Sequence, residues 1–206
     1  GLQSAMVVRW PGKVRAGSKT SAMVEYVDVL PTFLEAAGEN ISKVLEGKSF
    51  LPVLLGKESS HKKYVYGLMT TRGINNGSET FGIRSVRGER YKYIWNFTPQ
   101  IEFKNACTQS TTFKSWVKKA ENGDDDAKDK VRRYQRRPEV EVYDLQNDPY
   151  EWNNLAGNEE VKPVQSRLAR VLKEWMEAQG DKGQETELAA LERQRRGKKK
   201  KGTIKK

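Results

Sequence analysis

Few residues in this 206-residue chain have the types and spacing that chemistry requires. The single cysteine, Cys107, excludes an internal disulfide framework and a cysteine-rich zinc site within the chain. Its setting, Cys107-Thr108-Gln109-Ser110-Thr111, reads as a structural thiol acting as a small buried hydrophobe. The single histidine, His61, stands in Ser59-Ser60-His61-Lys62-Lys63. A general base needs a partner that sets its tautomer, and this polar stretch offers none, so His61 reads as an exposed, idle linker residue. Calcium needs several converging carboxylate oxygens; Asp124-Asp125-Asp126 lacks the EF-hand spacing and reads as a solvated turn. The loop Thr70-Thr71-Arg72-Gly73-Ile74-Asn75-Asn76 differs from these. It follows a strand-like run, and Arg72 brings a permanently charged guanidinium that can fork onto a sulfate or a carboxylate. The competing reading is a loop arginine paired with a nearby carboxylate.

Charge must be located before it is interpreted. Of the net charge of +11, residues 192–206 supply nine Lys or Arg against one Glu, and residues 1–191 carry only +3. A basic segment of this kind binds any polyanion at low salt and releases it as salt rises, so a polyanion-binding module acting through this segment is the alternative to an enzymatic reading. Single-strand nucleic-acid binders place stacking aromatics beside their cations, whereas the aromatics here lie in strand-like runs far from the tail, which argues against a specific nucleic-acid partner. Five Trp, eight Tyr and six Phe are too many for a disordered chain. No apolar run approaches the roughly 20 residues that cross a bilayer, so no membrane partner is expected. The opening Gly1-Leu2-Gln3-Ser4-Ala5 has no signal-peptide character, and the strand-like Ala5-Met6-Val7-Val8 follows almost at once, as it would in a fragment cut inside a domain.

The elements that must position any site follow from periodicity. Ala5–Arg9 predicts a short strand ended by Trp10-Pro11-Gly12. Asp28 stands as the N-cap of a helix carrying Val29, Leu30, Phe33, Leu34, Ala36 and Ala37, stopped by Gly38. A short helix is expected between Gly47 and Gly56. Strands are expected at Tyr64–Met69, Ile83–Arg87, Tyr91–Phe97 and Glu141–Leu145, the middle two joined as an antiparallel hairpin through Gly88-Glu89-Arg90. Phe113–Lys119 and Asp125–Tyr134 read as short polar helices. Residues 159–178 read as a long amphipathic helix with Val161, Val164, Leu168, Val171, Leu172, Trp175 and Met176 on one stripe, covering a face of the sheet. Trp95 and Trp175 are expected in the core, and Asp144 is expected to order the turn after its strand. Beyond Gly180 the composition predicts a solvated basic tail. Asn40-Ile41-Ser42, Asn76-Gly77-Ser78 and Asn96-Phe97-Thr98 match glycosylation acceptors.

In their order, Arg9-Trp10-Pro11-Gly12, Asp28-Val29-Leu30-Pro31-Thr32, Gly47-Lys48-Ser49-Phe50-Leu51-Pro52 and Tyr143-Asp144-Leu145 resemble the C-terminal end of sulfatases. Thr71-Arg72-Gly73, the Tyr91–Asn96 strand, Asp148-Pro149 and Asn154-Leu155-Ala156 look most like the heparan N-sulfatase (N-sulfoglucosamine sulfohydrolase) branch. The resemblance implies an α/β fold of alkaline-phosphatase type. Residues 1–60 would be its last strand and helices, 61–180 a four-stranded antiparallel subdomain packed on a C-terminal helix, and 181–206 a basic tail. It further implies hydrolysis of sulfate esters or sulfamates on a glycan or small sulfated molecule. The nucleophile would be formylglycine, made from a cysteine in a Cys-X-Pro-Ser-Arg or similar context, with calcium balancing the sulfate charge. Cys107 fails that pattern, with Gln109 where Pro is wanted and Thr111 where Arg is wanted. Calcium and formylglycine are therefore expected outside this chain, which has no catalytic or metal-binding residue of its own and should be inactive alone. Because the Thr71-Arg72 region lies near the substrate mouth in the family, the resemblance points to Thr71 and Arg72 as substrate contacts. A periplasmic, extracellular or lysosomal setting is also implied, and oligomeric state is left open.

Overall fold

The hairpin is where local chemistry and observed architecture agree most closely. In the computed structural model, which describes residues 4–71, 77, 78 and 80–193 but not the side chains of Leu191 and Arg193, strand β2 spans Ile83–Arg87 and β3 spans Tyr91–Asn96. Gly88 N donates to Tyr91 O at 2.9 Å at the turn, and Phe97 N donates to Gly82 O at 3.0 Å at the far end, so the antiparallel register holds along the pair. Strand β1 (Val65–Met69) and β4 (Val140–Asp144) complete a four-stranded antiparallel sheet in the order β1-β2-β3-β4. Between β3 and β4, Leu145 N donates to Arg90 O and Asn96 N to Glu139 O, both at 2.8 Å.

β3 departs from simple alternation. Its polar face is the more deeply covered: Lys92 is 9% exposed, Ile94 5% and Asn96 0%, while Trp95 is half-buried against Phe97 at a 4.9 Å centroid distance. Burial of polar groups is tolerated because each has a partner. Lys92 Nζ donates to Glu151 at 2.7 Å, and Asn96 Nδ2 donates to Pro138 O at 2.6 Å and Glu141 Oε1 at 2.7 Å.

Helix α1 runs Val29–Ala36 and α2 Leu51–Leu54. α1 stops as expected at Gly38, whose φ of +81° is the left-handed conformation that glycine adopts without a Cβ clash. Glu39 N donates to Leu34 O and Gly38 N to Glu35 O, closing the helix C-terminus. The polar helices are α3 (Thr111–Glu121) and α4 (Asp125–Gln135), with Ser110 Oγ accepting from Phe113 N and Asp124 Oδ1 from Ala127 N as N-caps. Asp124 is thus a helix cap within the acidic run. Helix α5 (Lys162–Ala178) buries the predicted stripe, with Leu168 2%, Leu172 1% and Met176 5% exposed; Trp175 on that stripe is half-buried.

Two expectations change. Ala5–Arg9 forms no ladder, and Met6 and Val7 are 52% and 91% exposed; a strand needs neighbours for its backbone groups, and none of the described residues provides them. Tyr26, Val27, Leu30 and Phe33 are also exposed, so residues 5–37 present apolar surface. Second, residues 181–193, read from composition as the start of a solvated tail, carry helices α6 (Gln184–Leu188) and α7 (Ala190–Arg193), with Glu187 2% exposed.

The described residues fall into two compact units: one from residues up to Gly67 with Ser85–Tyr93 and Val142–Arg170, the other from Leu68–Arg84, Ile94–Glu141 and Val171 onward. No helix among the described residues is long and apolar enough to cross a membrane.

Candidate functional site

Thr71 lies just past β1 in the second unit and is 1% exposed. Its Oγ1 accepts from Phe81 N at 2.8 Å and donates to Phe81 O at 3.1 Å, so one hydroxyl satisfies both backbone groups of a buried aromatic residue. Phe81 in turn packs edge-on against Phe103 at 5.1 Å. Ser78 secures the chain on the other side of the loop: its Oγ donates to Glu102 O and accepts from Lys104 N, each at 2.6 Å. Arg72 itself lies outside the described residues. The structure therefore places Thr71 as the anchor of the segment that carries Arg72, with its hydroxyl committed to the backbone.

Arg84, in β2 of the same unit, is buried and fully engaged, and its partners were not legible in the sequence. Its guanidinium donates through Nε to Asp181, through Nη2 to Glu187 Oε1 at 2.7 Å and through Nη1 to Ile83 O at 2.9 Å, while Phe97 lies 5.1 Å beneath Cζ. Burial pushes the Asp181 carboxyl up, but the Arg84 hydrogen bond and the Gly183 backbone N–H outweigh it and leave it below the ordinary range. Gly82 is required for this closure, since a Cβ there would meet Glu187 Cγ at 2.4 Å and Phe97 Cδ2 at 2.7 Å.

The first unit is organised around Asp28, which is fully buried. It was expected to cap α1 and it makes no capping bond to that helix. Instead Oδ2 accepts from Glu25 N at 2.9 Å, Oδ1 accepts from Lys48 N at 2.9 Å, and Lys62 Nζ approaches Oδ1 at 2.7 Å. Burial raises the Asp28 carboxyl, while the Lys62 hydrogen bond and the Glu25 and Lys48 N–H groups together outweigh it, for a net downward shift. Lys62 shows the complement: burial lowers it, and hydrogen bonds to Asp28 and Glu25 more than restore it, for a net rise.

His61 is corrected outright. Its side chain is 1% exposed, Nε2 lies 3.3 Å from Asp28 Oδ2 without good hydrogen-bond geometry, and the ring meets Phe50 edge-on at 6.0 Å. The flanking Lys62 and Lys63 suggested a solvated linker, but the Asp28 carboxylate draws Lys62 inward and His61 follows. Cys107 is corrected in the opposite sense, lying exposed in a 3-10 turn, Ala106–Gln109, capped by Asn105. Asp144 does order its turn, accepting from Gln146 N at 3.2 Å and Asn147 Nδ2 at 2.9 Å. It also takes a two-pronged grip from Arg90, with Nε at 3.0 Å and Nη2 at 2.6 Å, which holds its carboxyl down at about 2.

No three His, Cys, Asp or Glu side chains converge as metal ligands among the described residues. The described residues do not fit calcium or a formylglycine precursor. What the arrangement supplies is scaffolding: Thr71 and Ser78 each tied to the backbone, and two buried ionic hubs that fix the segments around them.

Comparison with known proteins supplies the family. The family model described as N-sulphoglucosamine sulphohydrolase, C-terminal, matches residues 1–109. An ulvan-active sulfatase of Formosa agariphila is 38% identical over 181 residues, covering 88% of this chain and 34% of the relative. An N-acetylglucosamine-6-O-sulfatase of Bacteroides thetaiotaomicron is 24% identical over 170 residues, covering 82% and 24%. The chain thus spans about a third or less of the curated relatives it matches. Among solved structures, one in complex with its substrate D-glucosamine-2-N,6-O-disulfate superposes with a TM-score of 0.59 at 24% identity over 84% of this chain and 28% of that one. A putative sulfatase from Bacteroides fragilis superposes with a TM-score of 0.53 at 19% identity over 84% and 29%. At these identities the structural likeness establishes the fold alone, and the family match adds the alkaline-phosphatase-like superfamily. With its ordered motifs, its sheet and the match over residues 1–109, the chain belongs to the N-sulphoglucosamine sulphohydrolase C-terminal family of sulfatases.

Proposed function

We propose that this chain is the C-terminal portion of a sulfatase that hydrolyses sulfate esters or N-sulfate (sulfamate) groups on glycans, and that alone it does not turn over. The observation that carries the reading is the family match over residues 1–109, supported by 38% identity to an ulvan-active sulfatase across most of the chain. In this reading calcium and formylglycine belong to the part of the enzyme outside residues 1–206. Formylglycine would supply the nucleophile and calcium would balance the sulfate charge. This chain's part is to bind and position. Arg72 forks onto a sulfate or carboxylate of the substrate, and Thr71 sets the take-off of its loop through the two bonds to Phe81.

The test is sulfate release, measured by ion chromatography, from sulfated ulvan oligosaccharides and from glucosamine 2-N,6-O-disulfate. The intact parent enzyme should release sulfate from at least one of them and residues 1–206 from neither. Arg72→Ala in the parent should raise KM by about tenfold or more while kcat changes less, as expected when a ground-state contact to an anion is lost. A calcium-loaded, formylglycine-bearing parent that leaves both substrates intact overturns the proposal.

A further inference from the structure

The first unit contains a cavity of about 650 Å³ that no part of the reading above uses. It opens between the segment entering β1, the β2–β3 turn and helix α5, and its chemistry is set by Lys63, Tyr64, Arg90, Tyr91 and Arg167 over Leu168. The turn fits closely here: a Cβ on Gly88 would touch Tyr64 Cε1 at 3.5 Å. The cations divide into two kinds. Lys62 is committed to Glu25 and Asp28, and Arg90 to Asp144. Lys63 and Arg167 are exposed and make no ion pair with any described residue, and Glu89 is the only acidic side chain on the lining. The tyrosine rings each carry a cation, Lys63 Nζ 5.5 Å from the Tyr64 centroid and Arg90 Cζ 4.9 Å from that of Tyr91.

We propose that this groove is a binding site for a sulfated sugar unit of a glycan chain, with Lys63 and Arg167 taking the sulfate and the tyrosine hydroxyls taking the sugar. Two uncommitted cations match one or two sulfates, and the volume falls within the range of small-ligand sites. A nucleobase fits less well, because stacking needs a bare ring face and each tyrosine already faces a cation. The choice of a sulfated glycan rests on the sulfatase reading. The site itself holds no group that could cleave the ligand, so it is a docking subsite.

The test is an isotope-labelled sample of the full chain titrated with a sulfated glucosamine disaccharide, its desulfated counterpart and a short oligonucleotide, followed by amide NMR shifts. The sulfated sugar should shift residues 60–64, 88–91 and 164–168, and the other two ligands should not. Lys63→Gln with Arg167→Gln should weaken binding by about tenfold, the loss of two charge-assisted contacts. Replacing Lys198, Lys199, Lys200 and Lys201 with Gln should leave it unchanged. Both positions are exposed, and the unperturbed remainder of the same spectrum verifies the fold of the variant. Shifts confined to the basic tail, equal binding of the desulfated sugar or the oligonucleotide, or full binding by the double variant each overturn the proposal. Sulfate release by the parent is read separately: an active parent with an empty groove removes this site alone, and a filled groove on an inactive parent removes the sulfatase reading.

Discussion

Arg84 donates from Nη2 to Glu187 Oε1 at 2.7 Å, joining the second strand to a helix 103 residues later. Both side chains are nearly solvent-free, at 3% and 2% exposure, so the pair is worth most when considered as a unit. Removing Arg84 strands the Glu187 charge in a poorly solvated site, whereas removing Glu187 leaves Arg84 paired with Asp181. Arg84→Ala should therefore destabilise the fold by roughly 3–5 kcal/mol, and Glu187→Ala by less, read from urea unfolding. The paired replacement Arg84→Met with Glu187→Leu should recover part of that loss. A chain ending at Gly180 should be as unstable as the Arg84→Ala variant, an outcome that a solvated tail would not give.

The carboxylates predict an acid limb. Asp144 titrates at about 2 in the fold against an ordinary value of 3.8, and Asp28 and Asp181 also lie below theirs. A depressed folded pKa means that the unfolded chain binds more protons, so this stabilisation is complete above about pH 4 and is lost as pH falls toward 2. Thermal melts between pH 2.5 and 6 should show the midpoint dropping in that window, and Arg90→Ala should flatten the part that belongs to Asp144.

Asp28→Ala should cost about 3 kcal/mol, because it leaves the Glu25 and Lys48 N–H groups without their acceptor and the Lys62 ammonium with Glu25 alone. Asp28→Asn should cost less, since its amide oxygen still accepts one of those bonds. An alanine variant as stable as the parent sequence would show that water replaces the carboxylate fully.

Thr71→Val keeps the shape and removes both bonds to Phe81, for a cost of about 1–3 kcal/mol. Thr71→Ser should retain most of the stability. Hydrogen exchange at the Phe81 amide should accelerate in the valine variant and stay slow in the serine one.

Of the three glycosylation-like triplets, that of Asn76 lies outside the described residues and the other two separate by burial. Asn96 is 0% exposed with its Nδ2 donating to Pro138 O and Glu141, while Asn40 is exposed after α1. Secretion through a eukaryotic pathway, followed by mass spectrometry of the folded product, should find no glycan on Asn96. Any glycan found should sit at an exposed acceptor.

The sequence by itself determined what is local. Period-two runs and Gly88-Glu89-Arg90 define the hairpin, the stripe from Val161 to Met176 defines α5, Gly38 ends α1, and the ordered motifs identify the family. These features depend on neighbours within a few residues, where backbone sterics and side-chain spacing act directly. Tertiary structure decided which polar groups are buried and with whom. His61 looked solvated because Lys62 and Lys63 flank it, yet a carboxylate 33 positions earlier, Asp28, holds this segment in the interior. Asp181 and Glu187 looked like tail residues until Arg84 claimed them, and Ala5–Arg9 had the pattern of a strand without a partner among the described residues to pair with. A charge can be buried only where its counter-charge arrives, and the chain's path through space, which no local window contains, brings the two together.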